Sequence, residues 1–295
     1  MVGWLVVNEF LNSDKFNEIH KWLLDAAKKQ GIRLVKKTNA QILIELPRKG
    51  LKEGTLPDAD FVLFLDKDVR LARYLELLGY KVFNPAEAIY ACDDKSMTHL
   101  LLSGAGIPMP VTIVAPMTFD NIGYTNTDFL NDIAGKLGFP MVVKECFGSF
   151  GQQVYLAGDF GELAAIVRRI GTKPMLFQEY IKTSHGRDIR LQVVGNRVIA
   201  AMYRYSDSGD FRANLTIGGK MKPYRPTDKQ VDLALKSCEI LGLDFAGVDI
   251  LFGEDEEPVV CEVNSNAHFK NIYDCTGVNA ADAIISHIKS KLQKH

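Results

Sequence analysis

The sequence predicts an α/β protein made of several lobes around a shared cleft, one carrying a parallel sheet and another an antiparallel sheet. Three observations lead there. The chain has 295 residues, more than one small core ordinarily spans. Residues 1–92 alternate strand-like and helix-like segments, the pattern of a parallel sheet with covering helices. From Asp188 onward the pattern changes to strands joined by tight turns.

Taken in order, residues 4–7 read as a strand and 15–30 as an amphipathic helix. Short strands are expected at 34–36 and 41–45. Residues 61–65 form a continuous apolar run bounded by charges, as a buried parallel strand does. A helix over 70–78 stops at Gly79, and residues 82–85 read as a short strand ending in a turn. A third helix opens at Asp93-Asp94-Lys95 and ends at 103–106, followed by the extended connector 107–110. A polar loop from Asp120 leads into a helix ending near Lys136, with a strand at 139–144, a helix at 161–170 and a strand at 175–180. Residues 189–194 and 197–203, joined by Gly195-Asn196, read as a hairpin. A helix over 228–241 precedes strands at 246–252 and 258–263, separated by an acidic turn, and an amphipathic helix over 279–292 closes the chain.

Composition excludes several classes. Hydrophobic residues make up 47% and charged residues 24%, as in a globular protein with a sizeable core. A net charge of −1 gives no bulk attraction to nucleic acid or to an acidic membrane surface. No apolar run approaches the roughly 18 residues needed to span a bilayer. The five cysteines are scattered and form no C-x-x-C pair, which argues against a disulfide framework or a structural zinc site. The N-terminus lacks the features of a secretory signal, so a reducing cytoplasm is expected.

Three constellations carry chemistry. Lys144 ends a strand and is followed by Gly148-Ser149-Phe150-Gly151; such a loop can set a cation and backbone N–H groups around phosphates, although a strand-end lysine beside a plain turn has the same look. No Walker pattern is present. Asp249 and Glu262 sit on adjacent strands expected to pair, with Asn264 two residues on and on the same face. Hard oxygen ligands of this kind suit Mg²⁺ bridging phosphates; the alternative is a pair of acids in a surface turn. Arg190, Arg204, Arg212 and Asn214 supply cations and an amide in and after the hairpin, suited to stabilising developing negative charge or merely to decorating a strand face.

Together these segments resemble the ATP-grasp superfamily and, within it, the RimK-like glutamate ligases. The matching stretches are Asp94-Lys95, Phe139 to Lys144, Gly148 to Gly151, Gln178-Glu179-Tyr180-Ile181, Gly186 to Arg190, Gly209 to Asn214, Ala246 to Leu251 and Glu262-Val263-Asn264. The resemblance implies an ATP-grasp fold: an N-terminal parallel-sheet lobe (1–92), a small ATP-covering lobe (93–182) and a C-terminal antiparallel-sheet lobe with the metal site (183–295). It implies Lys95 and Lys144 on ATP phosphates, Gly148, Ser149, Phe150 and Gly151 closing over them, and Glu179 and Tyr180 along the adenine. Asp188 would meet the ribose. Arg212, Ala213 and Asn214 would lie at the γ-phosphate end, with Arg190, Arg212 and Asn214 serving catalysis. Asp249, Glu262 and Asn264 would hold two Mg²⁺ (or Mn²⁺).

The chemistry so implied is ATP-dependent joining of an amino acid to a carboxyl-bearing small molecule or peptide terminus through an acyl phosphate, with no nucleic acid or membrane partner and with homo-oligomer formation left open. An ATP-grasp kinase that stops at phosphoryl transfer and a non-catalytic nucleotide-binding protein are the alternatives. One stretch departs from the family. Where Glu-Val-Asn-Ala-Ser-Pro-Gly is usual, this chain reads Glu262 to Lys270 as EVNSNAHFK, so His268 and Lys270 become candidates for substrate contact.

Overall fold

The computed structural model describes residues 1–11, 13–51, 59–148 and 151–293. The chain begins with β1 (Val2–Val7), α1 (Asp14–Lys29), β2 (Arg33–Thr38), β3 (Phe61–Leu65), α2 (Val69–Leu77) and β4 (Val82–Phe83). These strands form a parallel sheet in the order β2-β1-β3-β4, as the β/α alternation predicts. Its inner strands β1 and β3 are apolar on both faces, packing against α1 on one side and α2 and α3 (Ala86–Asp93) on the other, while the edge strand β2 is polar. Helix α3 follows directly and leads into α4 (Lys95–Gly104). Asp94 caps α4 by accepting from Ser96 N at 2.9 Å, which sets Lys95 at the first helical position.

The next part contains β5 (Thr112–Val114), α5 (Phe129–Leu137), β6 (Met141–Glu145), β7 (Val154–Ala157), α6 (Phe160–Ile170) and β8 (Met175–Glu179). Its four strands pair antiparallel in the order β5-β8-β6-β7, with α5 and α6 contributing Leu130, Ile133, Leu163 and Val167 to the core beneath. A third, five-stranded antiparallel sheet has the order β11-β10-β9-β12-β13. It comprises β9 (Arg187–Val194), β10 (Arg197–Tyr205), β11 (Lys220–Pro223), β12 (Phe245–Phe252) and β13 (Pro258–Asn264), with α7 (Asp228–Ile240) between β11 and β12. Helices α8 (Lys270–Thr276) and α9 (Ala280–Gln293) end the chain.

Two packing features lie outside any local pattern. Ile284, Ile285 and Ile288 of α9 share one core with Leu5 and Leu63 of the first sheet and Leu23 of α1, so the last helix returns to the first lobe. Asn84 stitches the same junction. Its amide nitrogen donates to the carbonyls of Phe245 and Ser265, both at 2.9 Å, and its oxygen accepts from Asp244 N at 2.7 Å.

The strand expected at 41–45 is not formed. Gln41 closes a short turn of 3-10 helix capped by Thr38, and beyond it only Ile42 reaches the core, while Leu43 is 71% exposed. Strand propensity without a neighbouring strand to pair with does not make a strand. The short elements α3, β5, β7, β11 and α8 were not anticipated; their apolar periodicity is too brief to read.

Candidate active site

Strand alternation aligns Asp188, Arg190 and Gln192 along one face of β9. In register, Arg204 of β10 stands opposite Asp188, Asp249 of β12 opposite Arg190, and Glu262 of β13 opposite Asp249. The expected pairing of Asp249 with Glu262 is therefore present. A bulge follows at once, since Ile250 pairs with Val260 and leaves Cys261 as the extra residue. That bulge turns both Cys261 and Glu262 towards a cleft between this sheet and the β5-β8-β6-β7 sheet.

The cleft spans about 920 Å³, including solvent at its open mouth. It gathers Lys95, Lys144, Gly148, Gly151, Glu179, Tyr180, Asp188, Arg212, Ala213, Asn214, Asp249 and Glu262 from stretches spread over 168 positions of the sequence, from 95 to 262. Val142, Ile181 and Leu251 give one end an apolar slot. Arg190 and Asn264 do not line it; they stand one step behind its wall. Ser149 and Phe150 lie outside the described residues.

The cations divide into two groups. Lys144 is 7% exposed, its Nζ nearest polar neighbour is Cys261 Sγ at 3.7 Å, and among the described residues no carboxylate lies within ion-pair distance of it. Lys95 donates to Gly148 O at 3.1 Å and stands 3.5 Å from Glu262. The arginines, by contrast, are fully engaged. Arg190 grips Asp249 through two bonds of 2.6 Å, and Arg204 grips Asp188 at 2.6 and 2.7 Å while reaching Asp249 at 3.0 Å. Burial alone pushes the Asp249 carboxyl up, but the two guanidiniums outweigh it and hold it below the ordinary range.

Both oxygens of Asp188 accept from Arg204, and Asp188 lines the cleft. Glu179 accepts from Val111 N at 3.1 Å, and the Tyr180 hydroxyl bonds His185 Nδ1. Arg212 is oriented by Asp210 and donates to the carbonyls of Gly151 at 2.8 Å and Val154 at 3.3 Å, tying the glycine loop to the segment after β10. Gly151 has φ +73, and a Cβ there would come within 3.0 Å of Asn214 Oδ1; a glycine is needed for this close approach. Lys270 bonds Asp274 at 2.8 and 3.0 Å and lies 3.3 Å from Glu18, so its charge is already answered at the start of α8.

The donor set suits a hard divalent cation. Asp249 and Glu262 face each other across one strand pair, and Asn264 follows two residues after Glu262 on the same strand, where its amide oxygen is the atom that could ligate. Among the described residues no three His, Cys, Asp or Glu side chains form a self-sufficient metal cage. Two carboxylates and an amide, completed by phosphate oxygens, match the way Mg²⁺ is usually held.

Residues that sequence reasoning passed over include Val142, Ile181 and Cys261. Leu251, also passed over, lies two positions from Asp249, a strand-alternation signal that was available; Cys261 depends on the bulge and had none.

Comparison with known proteins agrees with this arrangement. A family model described as the RimK-like ATP-grasp domain matches residues 92–288. Over 236 residues the chain is 38% identical to beta-citrylglutamate synthase B of Danio rerio, covering 78% of this chain and 56% of that protein, so it spans little more than half the length of that relative. It is 34% identical over 225 residues to a probable alpha-L-glutamate ligase of Xanthomonas euvesicatoria, covering 75% and 73%. The D-alanine–D-alanine ligase of Bacillus anthracis superposes with a TM-score of 0.73 over 100% of this chain and 98% of that one, at 18% identity, a likeness of fold. Sheet order, cleft and sequence agree, and the chain belongs to the RimK-like ATP-grasp family.

Proposed function

We propose that this protein is an ATP-dependent carboxylate–amine ligase that joins an amino acid, with glutamate the first to test, to a carboxyl-bearing small molecule or peptide terminus. The observation that carries the reading is Lys144: a buried ammonium with no carboxylate of the described residues within ion-pair distance, lining a cleft whose far wall holds Asp249 and Glu262. A buried lysine without a counter-ion is costly unless an anion arrives, and a polyphosphate supplies one. The glutamate in the names of the Danio and Xanthomonas relatives supports the choice of amino acid.

In this reading the chain works as three lobes, 1–92, 93–182 and 183–295, with ATP between the second and third. Val142, Ile181 and Leu251 pack the adenine. Lys95 and Lys144 hold the phosphates, Arg212 and Asn214 lie at the γ-phosphate end, and the loop around Gly148 and Gly151 excludes water. Asp249, Glu262 and Asn264 hold Mg²⁺ or Mn²⁺, which when bound neutralises phosphate charge during transfer. Arg204, which lines the cleft, supplies a cation beside the transferring phosphoryl group, and Arg190 orients Asp249 from behind the wall. Transfer of the γ-phosphoryl to a carboxylate gives an acyl phosphate, which the amine attacks with loss of phosphate. A cytoplasmic enzyme is consistent with five free cysteines and with the absence, among the described residues, of any helix long and apolar enough to cross a membrane.

The test is ADP release with Mg²⁺, a panel of carboxylates and each amino acid in turn, followed by mass spectrometry of the product. Release that requires both a carboxylate and an amine, with an amide product, supports ligation. ADP release that never depends on an amine favours a kinase-like activity and refutes it.

A further inference from the structure

Asp210 stands outside the lining of the nucleotide cleft, yet it holds a side chain that belongs to that lining. It lies in the segment after β10, and its carboxylate accepts three bonds from Arg212. Oδ1 receives the backbone N at 2.9 Å and Nε at 3.1 Å, and Oδ2 receives Nη2 at 2.9 Å. A carboxylate that meets Nε and Nη2 together fixes the plane of the guanidinium. Arg212 then reaches across to the other sheet with Nη1, which donates to the carbonyls of Gly151 at 2.8 Å and Val154 at 3.3 Å. An arginine carries five N–H donors. Four are engaged in this way among the described residues, which leaves one, on Nη2, for an anion in the cleft.

The support beneath Asp210 comes from the turn that opens β9. Gly186 N donates to Phe211 O at 2.9 Å, and Ser206 N donates to Gly186 O at 2.8 Å. Gly186 has φ +64, and a Cβ there would meet Asp210 O at 3.0 Å, so this close contact depends on glycine. The bonds from Arg212 hold the Asp210 carboxyl below its ordinary range, so it is ionised at neutral pH. A negative charge at this place works against polyphosphate binding, because it offsets the charge of a cleft arginine. Affinity for ATP therefore gives no reason for an acid here, whereas orientation of the guanidinium does.

We infer that Asp210 is a positioning residue for phosphoryl transfer: by fixing the plane of Arg212 it lets one guanidinium tie Gly151 and Val154 to the C-terminal lobe and keep a donor for the transferring phosphate. The chemistry of this inference rests on the ligase reading; the tie between the lobes does not.

The test uses the full chain with Asp210→Asn, Arg212→Ala and the two together. Hydrogen–deuterium exchange at residues 151–157 reads the tie without any turnover. Either single substitution is expected to speed that exchange about ten-fold, and the double variant to add nothing, since both remove one interaction. In amine-dependent ADP release, Asp210→Asn is expected to lower kcat about ten-fold while the KM for ATP stays level or falls, because the arginine loses its counter-charge. Added to Arg212→Ala, the same substitution is expected to leave kcat where Arg212→Ala put it, which separates action through Arg212 from a general structural role. Wild-type kcat or wild-type exchange in Asp210→Asn overturns the inference. So do a matching loss of affinity for a non-hydrolysable ATP analogue, an equal effect with and without Arg212, or faster exchange spread over β1 and β9 as well. If the wild type shows no amine-dependent release, the ligase reading fails, and the exchange pattern still decides whether Asp210 holds the tie.

Discussion

Replacing Asp249 by asparagine and Glu262 by glutamine removes one charge from the same proposed metal site, yet the structure predicts different costs. Asp249 is 3% exposed and is the shared counter-ion of Arg190 and Arg204, with contacts of 2.6, 2.6 and 3.0 Å. Asp249→Asn leaves two buried guanidiniums facing Asp188 alone. Removing one partner of a buried ion pair typically costs about 3–5 kcal/mol. For a chain of 295 residues the unfolding entropy is about 0.6 kcal/mol/K, so the melting midpoint falls by about 5–8 °C. Glu262 has a side chain 30% exposed and, among the described residues, its ion pair is with Lys95 at 3.5 Å. Its pair contributes about 0–1 kcal/mol, and Glu262→Gln moves the midpoint by less than about 2 °C. Both variants are expected to lose amine-dependent ADP release. Calorimetry and a coupled ADP assay on the two proteins check this, and adding Arg190→Met to Asp249→Asn is expected to restore part of the lost stability. Equal midpoints for the two single variants, or turnover retained in both, refutes the reasoning.

Lys144→Ala is expected to weaken ATP binding on the order of ten-fold or more and AMP binding much less, because its ammonium faces the phosphate end; equal losses in calorimetric titrations contradict that position. Lys270→Ala is expected to leave the KM of both amino acid and ATP at wild-type values, since Asp274 and Glu18 already hold the ammonium; a several-fold rise in amino-acid KM in steady-state assays speaks against this. Stability is expected to decline on acidification from pH 6.5. Burial lowers His99 to about 3, helped by Lys144 and Lys95, and His20 to about 4, helped by Lys36. The unfolded chain then takes up protons that the folded one refuses, which costs on the order of 1 kcal/mol per pH unit for each histidine. A midpoint that stays flat between pH 7 and 5 excludes this.

Much of the nucleotide cleft was legible in advance because its residues sit at element ends with local signals. Asp94 caps the helix that presents Lys95, Lys144 closes an apolar strand, and period-two alternation carries Asp249, Glu262 and Asn264 to one face. The partners of those residues were not legible. Nothing near Asp188 in the sequence says that Arg204 will occupy both its oxygens, and nothing near Lys270 says that Glu18, from the opposite end of the chain, will approach it. His20, an ordinary residue of an amphipathic helix by its spacing, joins Gln192 and His268 only because α1 and the five-stranded sheet share a core with α9.

The sequence by itself determined the alternating first lobe, the longer strands and helices after it and, through its family resemblance, the ATP-grasp architecture. The elements follow from hydrophobic period and capping, and the resemblance from short motifs, all of which act over a few residues. Only the tertiary structure decided which carboxylate neutralises which arginine, and that no carboxylate of the described residues stands within ion-pair distance of Lys144. Ion pairing in a buried site is settled by distances of a few ångströms between segments far apart in the chain, where charges removed from water must find one another.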